Sequence, residues 1–400
     1  MKHIGEQTST ACSGCGICAA ACPENAIELK LDGTGFFQAI VRDSRCVSCG
    51  LCQSVCPRFT PLGGEKDLLE SPLYALQSKS NTVVQQCSSG GIAHEIAADC
   101  LQQGWSVCGV VYNRENDRAE HRVITSLEEL PSLDGSKYLQ SDTTALRQAL
   151  VLAKTGRNVA VFGTPCQIGG LAQAAEKLGL RDQMLLTEIF CHGVPSYLLW
   201  EHQCERMKQK LQAEHFDRVQ FRYKKNDWHS YCLRADAGNR TFYGARETEL
   251  FWQVFFENIL LGDACYECEM RKNMSLADLR LGDYWGRRFE QNSDGVSAVF
   301  ALTERGEKVL RRLDLHQLEP GAPEEMLRAQ NMDGYHNREL HDGAMDVLRR
   351  ERNIVSAVKY YRAKEGKKQS FKRLMLRTSA ILPDALRAKL RKANSSRKLK

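Results

Sequence analysis

Four hundred residues, 42% of them hydrophobic and 26% charged, suffice for two or three domains with real cores and exclude a wholly disordered or collagen-like chain. The formal charge of +6 conceals an asymmetry: residues 349–400 hold 18 Lys/Arg against Glu351, Glu365 and Asp384. The first 348 residues are therefore net negative, and the charge gives no argument for a nucleic-acid partner. The longest apolar stretch, 250–261, is interrupted by Gln253, Glu257 and Asn258 and is too short to span a bilayer. The opening MKHIGEQTST lacks the apolar core of a signal peptide, so a cytoplasmic location is expected. Seventeen cysteines in such a compartment point to metal or redox chemistry rather than disulfides.

In chain order, the first feature is Cys12, Cys15, Cys18 and Cys22, spaced C-x2-C-x2-C-x3-C and followed by Pro23; the run returns at Cys46, Cys49, Cys52 and Cys56, followed by Pro57. Three thiolates two residues apart wrap one cubane, and the fourth points to the other cluster. This pairing assigns Cys12, Cys15, Cys18 and Cys56 to one 4Fe-4S cluster, and Cys46, Cys49, Cys52 and Cys22 to a second. Structural zinc prefers paired knuckles across a longer loop, which fits two complete copies poorly. Small residues between the ligands (Ser13, Gly14, Gly16, Ser48, Gly50) let backbone amides approach the sulfurs. Strands are expected at 26–29 and 36–41, and 1–62 reads as a bacterial ferredoxin-like domain. Gly14, Gly16 and Ala19 match a dinucleotide fingerprint only in letter, since no strand precedes them.

After the linker at 61–66, apolar runs alternate with helical periods: helix 92–103, strand 107–112, strand 158–162, helix 167–178, strand 184–190 and helix 196–211. More polar, antiparallel strands follow at 219–223, 231–235 and 240–243, with a further strand at 279–285. The alternation predicts a mixed α/β domain over 72–345. Loops after buried strands are where such folds place ligands, and four stand out: 87–91 (CSSGG), 135–138 (GSKY), 163–167 (GTPCQ) and 191–195 (CHGVP). The Ser-Ser-Gly-Gly turn opens a helix, and its amides serve either as an anion site or as a plain cap. Cys166, Cys191, Cys265 and Cys268 supply the four thiols of a third cubane, or are structural core cysteines.

The segments CSSGGIAHEIA, GSKYLQSD, VFGTPCQIGGL, FCHGVPS and ACYECEM…ADLRLGDYWG, kept in that order, resemble the coenzyme F-420 hydrogenase/dehydrogenase beta-subunit family from about Tyr74 to beyond Trp285. The ferredoxin pair resembles the longer members of that family. The resemblance implies a mixed-sheet FAD-binding domain without a Rossmann fingerprint, with a 4Fe-4S cluster on Cys166, Cys191, Cys265 and Cys268 beside the flavin. It implies flavin contacts at Ser89, Gly90, Gly91, Lys137, Thr164, Pro165 and Gln167, with Gly282 and Asp283 nearby. Lys137 would face the pyrophosphate or reduced flavin, and His192 would donate a proton. The expected activity is an FAD- and iron–sulfur-dependent oxidoreductase that trades a two-electron substrate against single electrons. Its partner would be a redox protein or ferredoxin; the alternative is a non-catalytic relay subunit of a larger complex.

Two aromatic segments, 228–231 and 251–256, together with Tyr284 and Trp285, line a substrate pocket or simply pack the core. Residues 346–400 form a basic tail in which apolar positions recur among Lys/Arg, a composition suited to the inner face of an anionic membrane. Family members of this length accompany surface-polysaccharide synthesis, which would make a sugar or lipid-linked intermediate the substrate.

Overall fold

The computed structural model describes residues 3–5, 11–61, 63–225, 227–330 and 338–366. Antiparallel strands β1 (Ile27–Leu31) and β2 (Phe37–Val41) sit between two short helices, Ile17–Ala21 and Leu51–Ser54, each opened by a glycine in the left-handed region. Past the linker, β3 (Lys66–Asp67) leads into β4 (Leu73–Ser78), β5 (Ser106–Asn113), β6 (Arg118–Ile124), β7 (Val159–Gly163) and β8 (Met184–Ile189). There follow β9 (Arg218–Tyr223), β10 (Cys232–Ala237), β11 (Arg240–Ala245), β12 (Met274–Ser275), β13 (Leu279–Asp283), β14 (Ser297–Ala301) and β15 (Leu315–Leu318).

Eight strands form one mixed sheet in the order β15-β4-β14-β13-β8-β7-β5-β6. Its centre, β13-β8-β7-β5, is parallel, and antiparallel strands close both flanks. The centre is apolar without alternation because helices cover both faces. Val159 and Val161 of β7 and Met184 and Leu186 of β8 point into a core shared with the helices Thr144–Lys154 and Pro165–Leu178. Ala160 and Leu185, one residue out of phase, pack with the helix Ile92–Gln102 on the other face. The helix expected at 167 begins at Pro165, because Thr164 caps it and Gln167 returns the bond in a capping box.

A second core joins the antiparallel sheet β11-β10-β9 to the helices Tyr197–Leu211, Leu250–Phe256, Arg338–Glu351 and Ile354–Lys364. The expected boundary at 346 falls inside Arg338–Glu351, and Ile354, Ala357, Val358 and Tyr361 are buried, so this stretch belongs to the folded body. The basic segment from 367 onward lies outside the described residues. Among the described residues no helix is long and apolar enough to cross a membrane. The aromatic segments 228–231 and 251–256 turn out to be one packed cluster: Trp228, Phe251, Trp252 and Phe255 are buried, and Trp228 stacks on Trp285 at 4.9 Å with an 11° tilt.

The ferredoxin-like module is docked onto the sheet domain rather than tethered to it. Ile17 is fully buried against Gly170, where a Cβ would lie 3.0 Å from it, and burial of such a side chain contributes about 1.5–3 kcal/mol. Gly16, at φ +74°, leaves no room for a side chain beside Thr143. The buried Gln140 accepts from the Phe37 amide at 2.6 Å and donates to the Ser13 carbonyl at 3.0 Å, while Arg147 donates to the carbonyls of Ala19 and Cys22. Strands β3 and β12 pair, stitching the linker to the body as well.

Candidate metal centres

The ferredoxin cysteines gather in two neighbouring groups. Cys15 feels the charges of Cys56 and Cys12, and Cys18 those of Cys15, Cys12 and Cys56, which defines the first set. Cys22, Cys46, Cys49 and Cys52 line one small cavity, which defines the second. Cys18 and Cys52 interact across the gap between the sets. Backbone amides approach the sulfurs as the small residues suggested: Gly14 N lies 3.4 Å from Cys12 Sγ and Ala26 N 3.3 Å from Cys22 Sγ. Burial pushes the Cys15 thiol up to about 12 and Cys18 well above its usual range.

The four later cysteines converge from three places in the chain. Cys166 opens the helix after β7, Cys191 follows β8, and Cys265 and Cys268 belong to a short turn that precedes β12. Cys166 feels Cys15, Cys268 and Cys191; Cys265 feels Cys191 and Cys268. Burial raises Cys191 to about 11 and Cys265 to about 12. Amides of Gly193, Val194, Met270 and Arg271 oppose that shift by donating to the sulfurs. Arg271, itself buried, lowers the pKa of Cys191, Cys265 and Cys268, and the Thr164 hydroxyl sits 3.2 Å from Cys166 Sγ. A buried thiol quartet has little reason to ionise by itself; a cationic metal core supplies that reason, and N–H donors around the sulfurs suit the thiolate form. This donor set fits a cubane. Cys166 also feels the charge of Cys15 and packs against the same core, so the quartet neighbours the first ferredoxin set.

The side chains expected at the flavin have occupations of their own. The Lys137 ammonium donates to the carbonyls of Leu133 and Asp134, at 2.9 Å each, and to that of Ser132; burial lowers its pKa to about 8. Ser89 Oγ donates to the Val296 carbonyl, and the Gly90 amide to Ser297 Oγ. Gly90 is a packing glycine, since a Cβ there would lie 2.5 Å from the Leu76 carbonyl, and Gly91 takes φ +86° as the helix cap. Thr164, Pro165 and Gln167 build the capping box. Gly282 lies under Phe190, and Asp283 accepts from Trp228 Nε1 at 2.7 Å and from Arg222 at 3.0 Å. His192 shares a 2.6 Å hydrogen bond with Asn258 and stacks near Phe255, and burial lowers its pKa. The loops themselves do assemble along one edge: Thr164, Cys191 and Asp283 lie at or just beyond the carboxyl ends of the parallel strands β7, β8 and β13. Register pairs Asp283 with Ser297, beside the 88–91 turn. These side chains are engaged with the chain's own groups, and the edge they border fits the position of a ligand site in an open α/β sheet.

Fold and cysteine sets together define an iron–sulfur redox protein. Family models for the coenzyme F420 hydrogenase/dehydrogenase beta subunit match at residues 73–147 for the N-terminal part and 156–324 for the C-terminal part, and a 4Fe-4S dicluster domain matches at 11–59. The chain belongs to the coenzyme F420 hydrogenase/dehydrogenase beta-subunit family, extended by a dicluster ferredoxin module. No curated protein matches it. Among solved structures it is similar to a chain of the F420-reducing NiFe hydrogenase complex from Methanosarcina barkeri, with 14% identity, a TM-score of 0.46, and coverage of 66% of this chain and 90% of that one.

Three features of the structure were missed by reading the sequence. Gln140 and Arg147, which dock the module, look like ordinary polar residues of a loop and a helix. Arg280 lies in an otherwise apolar strand, where a single fully buried charge is the signal that was available. Cys87, His94 and Asp134 are spread over 48 residues, and only the fold brings them together.

Proposed function

We propose that this iron–sulfur oxidoreductase subunit carries three 4Fe-4S clusters and an FAD, and catalyses electron exchange between a two-electron substrate and a redox partner. The electrostatic coupling of Cys166 to Cys15, both packed in one core, supports the reading, because it suggests an order of quartet, first ferredoxin set and then the second through Cys18 and Cys52. When bound, cubanes supply one-electron transfer and a flavin the exchange between paired and single electrons. The chain's own part is to fix spacing, donate amides to the sulfurs, place Arg271 against the quartet and shield most of the sulfurs from water.

The second set reaches the surface at Cys49 and Val47, the latter 63% exposed, and this loop is the proposed contact for the partner. The flavin is proposed to sit at the sheet edge, beside the 88–91 turn and the loops after β7, β8 and β13. Anaerobically purified protein should contain about twelve irons and twelve acid-labile sulfides per chain with one FAD. Reduced coenzyme F-420, NAD(P)H and reduced ferredoxin, tried separately, identify the donor by bleaching of the flavin. Three clusters without bound flavin would turn the assignment to the relay subunit; zinc in place of iron would overturn both.

The basic segment 367–400, with twelve Lys/Arg against Asp384, is proposed to contact an anionic surface, which suits a lipid-linked substrate. Deleting 367–400, and not the helix Ile354–Lys364, should leave iron content unchanged and weaken binding to anionic vesicles at least tenfold. Equal binding would dismiss the membrane role.

A further inference from the structure

A cluster outside the iron–sulfur cysteines has the composition of a mononuclear metal site. Cys87 caps the helix Asn81–Gln86, His94 lies in the first turn of Ile92–Gln102, and Asp134 follows the short turn Leu130–Leu133. Their ligand atoms all lie within 4.8 Å of one another. His94 Nδ1 is 2.8 Å from Asp134 Oδ1, and Cys87 Sγ is 3.7 Å from the same oxygen. Neighbouring ligands of a tetrahedral ion with bonds of about 2.0–2.3 Å are separated by roughly 3.3–3.8 Å, so only small side-chain shifts are needed.

A second observation points the same way. Asp134 Oδ2 is buried and accepts no hydrogen bond from any described residue, on a side chain only 9% exposed. The two lysines that act electrostatically on Cys87 do not serve it. The Lys137 ammonium faces the carbonyls of Ser132, Leu133 and Asp134, and that of Lys224 faces those of Val84, Ser89 and Asp294. Each ammonium has three N–H groups and three carbonyl acceptors. A hydrogen-bonded trio without metal strands that oxygen at a cost of about 1–3 kcal/mol, whereas a cation uses it.

We propose that Cys87, His94 and Asp134 bind one zinc-class divalent cation, with water as fourth ligand. Thiolate, imidazole and carboxylate together select a borderline-soft ion over magnesium or calcium. The ion would clamp the turn at 87–91 to the loop at 134–138, which already meet through the Ser136 amide and Ser88 Oγ at 2.8 Å.

The test adds Zn²⁺ to the anaerobically purified full chain, removes loose metal by gel filtration, and measures zinc and iron together. One zinc per chain beyond the full iron content is expected. X-ray absorption at the zinc edge should show a single sulfur at about 2.3 Å with nitrogen and oxygen near 2.0–2.1 Å. Asp134→Asn and His94→Ala should each lower retained zinc at least tenfold with iron unchanged; if His94→Ala costs iron, the near-isosteric Asp134→Asn decides. No retained zinc, zinc held equally by Asp134→Asn, or an all-sulfur shell, which would mean zinc lodged among the cubane cysteines, overturns the site.

Discussion

Cys268→Ser should cost the protein about four of about twelve irons while leaving the ferredoxin pair intact. The reasoning is spatial. Cys268 belongs to the turn that also carries Cys265, and it is Cys166 whose thiol feels Cys15 of the first ferredoxin set. Removing Cys268 therefore breaks the quartet without touching a ligand of the first set, whereas Cys166→Ser disturbs both. Iron per chain and low-temperature EPR after dithionite separate these outcomes: two interacting clusters persist in Cys268→Ser, and a smaller residue of signal survives in Cys166→Ser. Unchanged iron in Cys268→Ser would reject the third centre. Under the proposed function, the variant should also lose electron delivery from the two-electron donor to the partner, because the ferredoxin sets remain reducible but are no longer joined to the sheet edge.

How far this was legible in the sequence depends on the range of the interaction. The ferredoxin ligands are largely local: three thiols of each run close one loop and the fourth crosses to the other run, a pattern that spacing carries, and amide approach is expected from the glycines between them. The parallel strands were legible for a similar reason, since β7 and β8 are short apolar runs followed by helical periods. The quartet is not local. Cys166, Cys191 and the Cys265/Cys268 turn meet only because β7, β8 and β13 are adjacent in the sheet, an order that periodicity does not encode. The side chains expected at the flavin also have structural roles that their motifs did not announce. Thr164, Gln167, Ser89 and Lys137 stand out in the motifs, yet the structure uses them to cap a helix, tie a turn to β14 and close a loop. Short motifs mark where a backbone must bend as readily as where a ligand binds. The tail boundary erred because charge was counted and periodicity neglected: Ile354, Val358 and Tyr361 recur on one face among the Lys and Arg and bury it.

The largest effect on stability is expected at Arg280. Its side chain is completely buried in β13 and pairs with Glu188, its neighbour in register on β8, itself 2% exposed. The remaining guanidinium donors reach the carbonyls of Met270, Lys272 and Met274, the strip of chain between Cys268 and β13. One side chain thus neutralises a buried carboxylate and anchors the segment leading from the quartet. Arg280→Met keeps much of the volume but leaves Glu188 with the Ser275 hydroxyl and no cation, and three carbonyls without this donor, a loss of about 3–5 kcal/mol. Its pH dependence has a definite sign. Burial already raises the Glu188 pKa, opposed by Arg280, and removing the cation raises it further. An acid whose folded pKa lies above its unfolded one binds more protons when folded, so stability falls as pH rises from the unfolded value, about 4.3, toward the folded one. The deficit of Arg280→Met should therefore be greater at pH 8 than at pH 5.5 in denaturant titrations, and adding Glu188→Gln should recover part of it and flatten the dependence. Because the freed carbonyls lie next to Cys268, iron should leave the quartet before the protein unfolds, with about four irons lost at denaturant concentrations that spare the ferredoxin pair. A variant as stable as the parent at both pH values would show that the buried pair does not hold this edge of the sheet together.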